Sequence, residues 1–433
     1  MEWIAVLILV VSFAVLLLLG VPIAVCIGLA TILTMLPSIP LAPALTTEAQ
    51  RIATGLDSFT LLAIPFFILA GHLMNRGGIA RRLVSFAEAA LGMLPGALAH
   101  VNILAAMLFG AISGSAAAVA SAIGSIMAPH MEREGYDKGY SVAVNVTSAT
   151  TGLLIPPSNI LIVYSLASGG TSIAALFLAG YVPGLLVGLM LMLVAGWIAW
   201  KRRYPVAGRP SLRRLWTTFW DAAPSLLLLV IVIGGIIAGI FTATEAAAVA
   251  VLYALILALL YRELRLRDLP RVLLEASSTT AIVLLLIATS MAMSWILAYE
   301  QIPQGVSQAL LALTDNKILI LLIINFVLLA VGTFMDMTPA VLIFTPIFLP
   351  VALNLGIDPI HFGIILVLNL CIGLCTPPVG TVLFVGLGVT QTPMTRVLRS
   401  LLPMYAAMII ALLLVTYLPE LSLWLPRVFG YVE

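Results

Sequence analysis

The sequence predicts an all-α polytopic membrane protein, built as an inverted repeat with two re-entrant helical hairpins and two helices broken at Pro-Pro. Three observations predict it. Of 433 residues, 62% are hydrophobic and only 9% are charged, whereas soluble domains carry roughly 25% charged residues. The run Gly152–Leu153–Leu154–Ile155–Pro156–Pro157–Ser158–Asn159 has a counterpart in Gly373–Leu374–Cys375–Thr376–Pro377–Pro378–Val379–Gly380. Pro129 and Pro350, Gly135 and Gly356, and Asp137 and Asp358 keep the same offset of 221 positions. Finally, alternate connections collect 17 of the 20 Lys and Arg residues, leaving only Arg51, Lys317 and Arg427 for the other side.

These features also exclude other classes. The net charge of +2 reflects topology and gives no basic patch for nucleic acid, so membrane lipid is the expected surrounding. Cys26, Cys371 and Cys375 all lie in apolar runs, which favours packing over a disulfide or metal framework. The start Met1–Glu2–Trp3 lacks a basic n-region and reads as the beginning of a span.

Residues 1–59 are read as N-terminal scaffold. Apolar stretches at 3–19 and 22–36 are just long enough to span, and a Pro-rich connector follows over 37–58. The first repeat covers 60–200. It opens with a span at 60–75, then Asn75–Arg76–Gly77–Gly78 and an amphipathic arm to about Met93. Residues 96–131 have length for two helices, but Gly110–Ala111–Ile112–Ser113–Gly114–Ser115 is a small polar break at their centre, which predicts a re-entrant hairpin. A broken helix over 140–168 and a span over 173–200 complete the unit.

Residues 201–276 form a basic linker, with Arg209, Arg213 and Arg214, and two central scaffold spans at 222–240 and 245–261. The second repeat, 277–433, has a span at 277–298 and an arm at 299–316. Its hairpin at 318–353 breaks at Gly332–Thr333–Phe334–Met335–Asp336–Met337–Thr338–Pro339. A broken helix over 361–389 and a span over 398–418 follow. Both arms carry polar residues at helical spacing and read as in-plane helices. Trp197, Trp200, Trp216 and Trp220 read as an interfacial belt beside the linker. The basic loops belong in the cytoplasm by the positive-inside rule, which puts both termini in the periplasm and points the two hairpins in opposite directions.

Consecutive prolines remove backbone donors and disfavour helical geometry around them. In lipid the freed carbonyls must find partners, so such breaks persist only against protein or a polar cavity. Paired broken helices in corresponding halves point to the binding site of a secondary transporter.

The run Ile64–Pro65–Phe66–Phe67–Ile68–Leu69–Ala70–Gly71, the tip Ser113–Gly114–Ser115, the first Pro-Pro run and Gly332–Thr333–Phe334–Met335–Asp336 resemble the large membrane subunit of tripartite ATP-independent periplasmic (TRAP) transporters, dicarboxylate type. The resemblance spans essentially the whole chain. It implies an elevator-type ion-transporter fold in a bacterial inner membrane and sodium-coupled import of a small organic anion. It also implies a periplasmic solute-binding protein and a small four-helix membrane subunit, the latter expected as a separate polypeptide.

Within that frame, sodium prefers oxygen ligands, half-helix C-terminal ends favour cations and N-terminal ends favour anions. One sodium site is expected from Ser113, Ser115, Gly152, Ile155 and Pro156, and a second from Gly332, Thr333, Gly373, Thr376 and Pro377. Substrate contacts are expected from Ser115, Ser158, Asn159, Asp336 and Thr338. For Gly, Ser and Thr the competing reading is close packing of membrane helices. For Asp336 it is a helix cap before Thr338–Pro339. A carboxylate in the membrane costs at least about 2.5 kcal/mol, which makes function the default. His72, His100, His130 and His361 sit near span ends without ligand spacing and read as interfacial packing.

Two other readings compete. A stand-alone sodium/dicarboxylate symporter of related architecture would need no binding protein. An intramembrane enzyme would need a second carboxylate beside Asp336, or a midplane histidine beside a hairpin serine, and the sequence offers neither; no enzymatic activity is expected. No Gly-x-x-x-x-Gly-Lys-Ser/Thr loop suggests ATP hydrolysis.

Overall fold

In a computed structural model, residues 2–76, 78–206, 211–314 and 316–432 are described, and among them all regular structure is helical. Gly77 and Arg209 of the sequence reading lie outside the described residues. Helices α1 (Glu2–Leu18) and α2 (Ile23–Met35) turn at Gly20, whose φ of +77° is the left-handed conformation that glycine adopts without strain. The connector over 37–58 is largely helical, which the sequence reading did not anticipate: α3 covers Leu41–Gly55. Pro40 is its N-cap and Pro43 lies in its first turn, where a missing N–H breaks no intrahelical bond.

A short 3₁₀ turn leads into α4 (Ala63–Arg76), followed by the arm α5 (Ile79–Leu91). Helix α5 buries Ile79, Ala80, Leu83, Val84 and Ala87 on one face. Helices α6 (Ala97–Ser113) and α7 (Ala116–Arg133) form the first hairpin. The first broken helix consists of α8 (Lys138–Ala149), one 3₁₀ turn, the Pro156–Pro157 break and α9 (Asn159–Ala167), and α10 (Ile173–Lys201) closes the unit.

Helix α11 (Leu212–Ile237) starts earlier than the sequence reading placed it, within the basic linker. Arg214–Glu88 at 3.2 Å and Arg82–Asp221 at 3.4 Å tie it to α5. Trp197, Trp200, Trp216 and Trp220 are exposed around this junction. Helix α12 (Ala243–Leu260) opens with a capping box between Thr242 and Glu245. Then come α13 (Leu269–Tyr299), the arm α14 (Ile302–Leu313), the second hairpin α15 (Lys317–Gly332) and α16 (Met337–Asn354), and the second broken helix α17 (Pro359–Leu374) and α18 (Thr381–Thr390). Helices α19 (Met394–Tyr417) and α20 (Glu420–Val428) end the chain.

The offset of 221 carries into three dimensions. The bounds of α16 are those of α7 shifted by that number, and α17 corresponds to α8 plus its 3₁₀ turn. Asp137 and Asp358 each cap the following helix, accepting from Tyr140 N at 2.9 Å and Ile360 N at 2.7 Å. The copies cross-pack, α9 against α16 and α18 against α7. Cys371 Sγ reaches the Thr150 carbonyl at 3.5 Å, and these two positions are counterparts. Counterparts touch each other only near the axis that relates the copies, so the pseudo-symmetry axis passes between them.

Among the described residues, seven helical stretches are long and apolar enough to cross a membrane, and α1, α2, α6, α15, α17 and α18 are shorter apolar helices. At 9 and 10 residues, α9 and α18 are about 14–15 Å long, half of a hydrocarbon core of about 30 Å.

Glu48 is a singular feature of the scaffold. It is 5% exposed between α2, α3 and α13, and neither carboxylate oxygen has a hydrogen-bond partner among the described residues. A Cβ on Gly28 would lie 3.6 Å from its Oε1, so α2 closes over it. Burial without a partner pushes the carboxyl up from 4.5 to about 7. The folded state thus binds this proton more tightly than the unfolded chain. The contribution of Glu48 to stability is therefore fully present below pH 4.5 and is lost as pH rises to about 7. Glu48→Gln should therefore raise the unfolding temperature at pH 8 and flatten its pH dependence between 5 and 8. An unchanged profile in the detergent-purified variant would show that Glu48 is paired.

Candidate functional site

Both hairpin tips and both half-helices after the breaks face one cavity of about 380 Å³. Its lining includes Ala116, Ala117 and Ala118 of α7, Asn159 and Ile160 of α9, Met337 and Thr338 of α16, and Thr381 and Val382 of α18. Each of these is the first turn of its helix, so four helix N-termini converge on one space. The first four N–H groups of a helix lack intrahelical acceptors, and each N-terminus carries roughly half a positive charge. Among the described residues, no Lys or Arg lines the cavity, and Asp336 is its one acidic side chain.

The tips differ where the repeats otherwise match. Ser115 and Asp336 are counterparts at the N-caps of α7 and α16. Ser115 Oγ accepts from Ala118 N at 3.3 Å, whereas the Asp336 side chain makes no capping bond to its own helix. Its Oδ1 accepts a long 3.5 Å contact from Thr381 Oγ1, and Asp336 is exposed on the cavity wall. The Met337 N–H, in the first turn of α16, also approaches the carboxylate, so a local contact with the helix start accompanies the face that Asp336 turns to the cavity.

Gly114 turns the first tip with φ +61°, and a Cβ there would sit 3.2 Å from Asn159 Nδ2. Ser113 is buried with its hydroxyl unpartnered among the described residues. Behind this tip, Gly152 lies against Gly110 so closely that a Cβ on Gly152 would be 2.3 Å from the Gly110 Cα. Gly332 and Gly373 meet in the same way in the second repeat. Small residues here permit backbone contact, as the packing reading anticipated.

Of the expected substrate contacts, Ser115, Asn159, Asp336 and Thr338 line the cavity, and Ser158 does not. Ser158 is fully buried, and its hydroxyl donates to the Leu153 carbonyl at 2.5 Å, closing the first break. Of the first sodium set, Ser113 and Ser115 line the cavity, while Gly152, Ile155 and Pro156 are buried behind the tip. In the second set, the Thr333 carbonyl already accepts from Val379 N at 3.3 Å and Gly380 N at 3.2 Å, tying tip to break. Thr376 Oγ1 donates to the Ile372 carbonyl at 2.7 Å, and Pro377 lies at the partly exposed break.

The cavity has a second wall that the sequence reading missed. Helix α4 contributes Ile64, Ile68, Gly71, His72 and Asn75, and α13 contributes Thr279 and Val283. His72 was expected to pack at an interface; instead it borders the cavity, with Nε2 3.5 Å from Thr279 Oγ1. The spacing of 64, 68, 71, 72 and 75 was a readable helical stripe, but its partner was not. His100 and His361 are buried, the latter with Nε2 3.4 Å from the Thr416 carbonyl. Among the described residues no cluster of three or more His, Cys, Asp or Glu could hold a metal.

Comparisons with known proteins agree with this architecture. The family described as "Tripartite ATP-independent periplasmic transporter, DctM component" matches residues 10–421. The chain is 56% identical to the uncharacterized protein YgiK of Salmonella typhimurium, covering 97% of this chain and 96% of that protein. It is 41% identical to the C4-dicarboxylate TRAP transporter large permease protein DctM of Rhodobacter capsulatus, covering 96% and 97%. The crystal structure of the Alcanivorax borkumensis YdaH transporter shares the fold, with a TM-score of 0.64 at 14% identity over 91% of this chain and 90% of that one. The chain therefore belongs to the tripartite ATP-independent periplasmic transporter family as its DctM component, the multi-pass large permease of a bacterial inner membrane.

Proposed function

We propose that this permease imports a small organic carboxylate with sodium by an elevator motion, and that the cavity between the hairpin tips is where the anion is held. The observation that carries the reading is the convergence of four helix N-termini on a cavity without a basic side chain. Each terminus contributes about 0.3–1 kcal/mol toward an anion, a few kcal/mol in sum. A carboxylate about 4 Å from Asp336 would be repelled by about 4 kcal/mol at an effective dielectric of 20. The two terms nearly cancel, so net binding of an anion calls for added positive charge.

Co-transported sodium supplies that charge. The first site would be built from Ser113 and Ser115 with the carbonyls of Gly152, Ile155 and Pro156. The second would use Gly332, Thr333, Gly373, Thr376 and Pro377. These donors are all oxygens, and the buried, unpartnered Ser113 hydroxyl fits such a role. Because the Thr333 carbonyl already accepts two N–H groups, its hydroxyl is the better donor. Asp336, Ser115, Asn159 and Thr338 orient the substrate, and Ser158 braces the break.

The two hairpins with their broken helices, and α10 and α19 packed on them (about 96–201 and 317–417), form the moving body. Helices α1–α5 and α11–α14 form the scaffold. Both termini face the periplasm, where a solute-binding protein delivers substrate, and a small four-helix membrane subunit flanks the scaffold.

Uptake into proteoliposomes holding the complete complex should require an inward sodium gradient and move more than one sodium per substrate. Equal uptake with choline in place of sodium would contradict the coupling. Asp336→Asn keeps shape and capping capacity but removes the charge. It should reduce uptake at least tenfold at wild-type expression while insertion is unaffected. Near-normal uptake would return Asp336 to a capping role.

A further inference from the structure

The cavity joins two unlike walls, and the α4–α13 wall is itself divided. Along α4 the lining runs Ile64 and Ile68, then Gly71, His72 and Asn75; along α13 it runs Val283, then Thr279. Both helices thus turn from apolar to polar toward the same end. One turn beyond His72 and Thr279, Arg76 and Glu275 pair at 2.6 Å, and Arg271 also contacts Glu275 at 3.2 Å. That end belongs to the basic side of the molecule.

The first hairpin tip is abreast of the polar end. A Cβ on Gly71 would lie 2.7 Å from the Ser113 carbonyl oxygen, so tip and α4 touch beside His72. The polar groups there are only loosely engaged. Thr279 Oγ1 donates to the Glu275 carbonyl at 3.0 Å, and its contact with His72 is long at 3.5 Å. Asn75 is exposed and His72 half-buried. Their N–H donors are therefore available to an anion leaving the helix N-termini.

We propose that the N–H donors of His72 and Asn75, beside Thr279, form a scaffold-side release subsite for carboxylate oxygens, engaged on the basic side of the cavity as the anion departs toward the cytoplasm. This rests on the reading of the cavity as the anion's path. Ile64 and Ile68 offer no donors, so the subsite exists only at one end of the tip's travel. Asp336 alone would make the same space favour cations, which gives the proposal a sharp alternative.

The test needs no knowledge of the natural substrate. Cys26, Cys371 and Cys375 are buried, so Asn75→Cys supplies an accessible reporter thiol at the subsite. In inside-out vesicles of the complex, its labelling by an anionic and a cationic methanethiosulfonate is measured, each rate divided by that for free cysteine. The normalised anion-to-cation ratio should exceed about ten. Adding His72→Ala should lower it at least fivefold, whereas His72→Gln, which keeps a donor, should restore most of it. A ratio of one or below, or a ratio indifferent to His72, would overturn the subsite. A Glu134→Cys control in the exposed turn between α7 and α8, on the same basic side, should label equally in all backgrounds, which reports folding. Because sodium dependence and Asp336→Asn uptake are measured separately, failure of the subsite leaves the transport reading intact.

Discussion

The structure depends on one constraint: a backbone polar group inside a hydrocarbon layer must find a partner within the protein. Two Pro-Pro runs break that rule locally by freeing carbonyls from the helical ladder, and the surrounding chain is arranged to restore it. The Ser158 hydroxyl closes on Leu153, Tyr405 donates to the Cys375 carbonyl, and the Thr333 carbonyl collects the two amides of Val379 and Gly380. Gly110 against Gly152 and Gly332 against Gly373 let backbones approach without side chains between them. Hairpin tips therefore lie against the breaks, and the half-helix N-termini that result are aimed into shared space.

The duplication then explains why four such termini meet. Helices α7 and α9 and their counterparts α16 and α18 are brought together by cross-packing around the axis near Thr150 and Cys371. Against this regularity the substitution of Asp336 for Ser115 stands out. At the same backbone position one side chain caps its helix, and the other leaves its charge facing the cavity. In the proposed reading the electrostatic terms of the cavity come close to balance, so bound cations would decide whether an anion is held.

Much of the fold was legible because its signals are local. Pro-Pro, Gly-x-Asp and small polar tips announce breaks and caps within a few residues, and a fixed offset makes the repeat visible. Helix α3 was not legible, since Pro40, Pro43 and a polar composition imitate a connector until tertiary packing buries Ala44 and Glu48. The candidate site divides in the same way. Ser115, Asn159, Asp336 and Thr338 could be found from their places beside breaks. Ser158 could not be told from a lining residue, because the direction of its hydroxyl depends on the turn around Leu153. His72, Asn75 and Thr279 come from segments about 200 residues apart, and only the packing of α4 on α13 makes them neighbours.

The central claim is that a carboxylate sits between the two hairpin tips and is held by helix N-termini rather than by basic side chains. A cryo-EM structure of the complete complex, with sodium and the anion it accumulates, tests this most directly. The account predicts anion density between Ser115 and Asp336, within hydrogen-bonding reach of first-turn amides of α7 and α16. Density instead beside the Arg or Lys side chains of the basic loops, with the cavity holding only water, would contradict it.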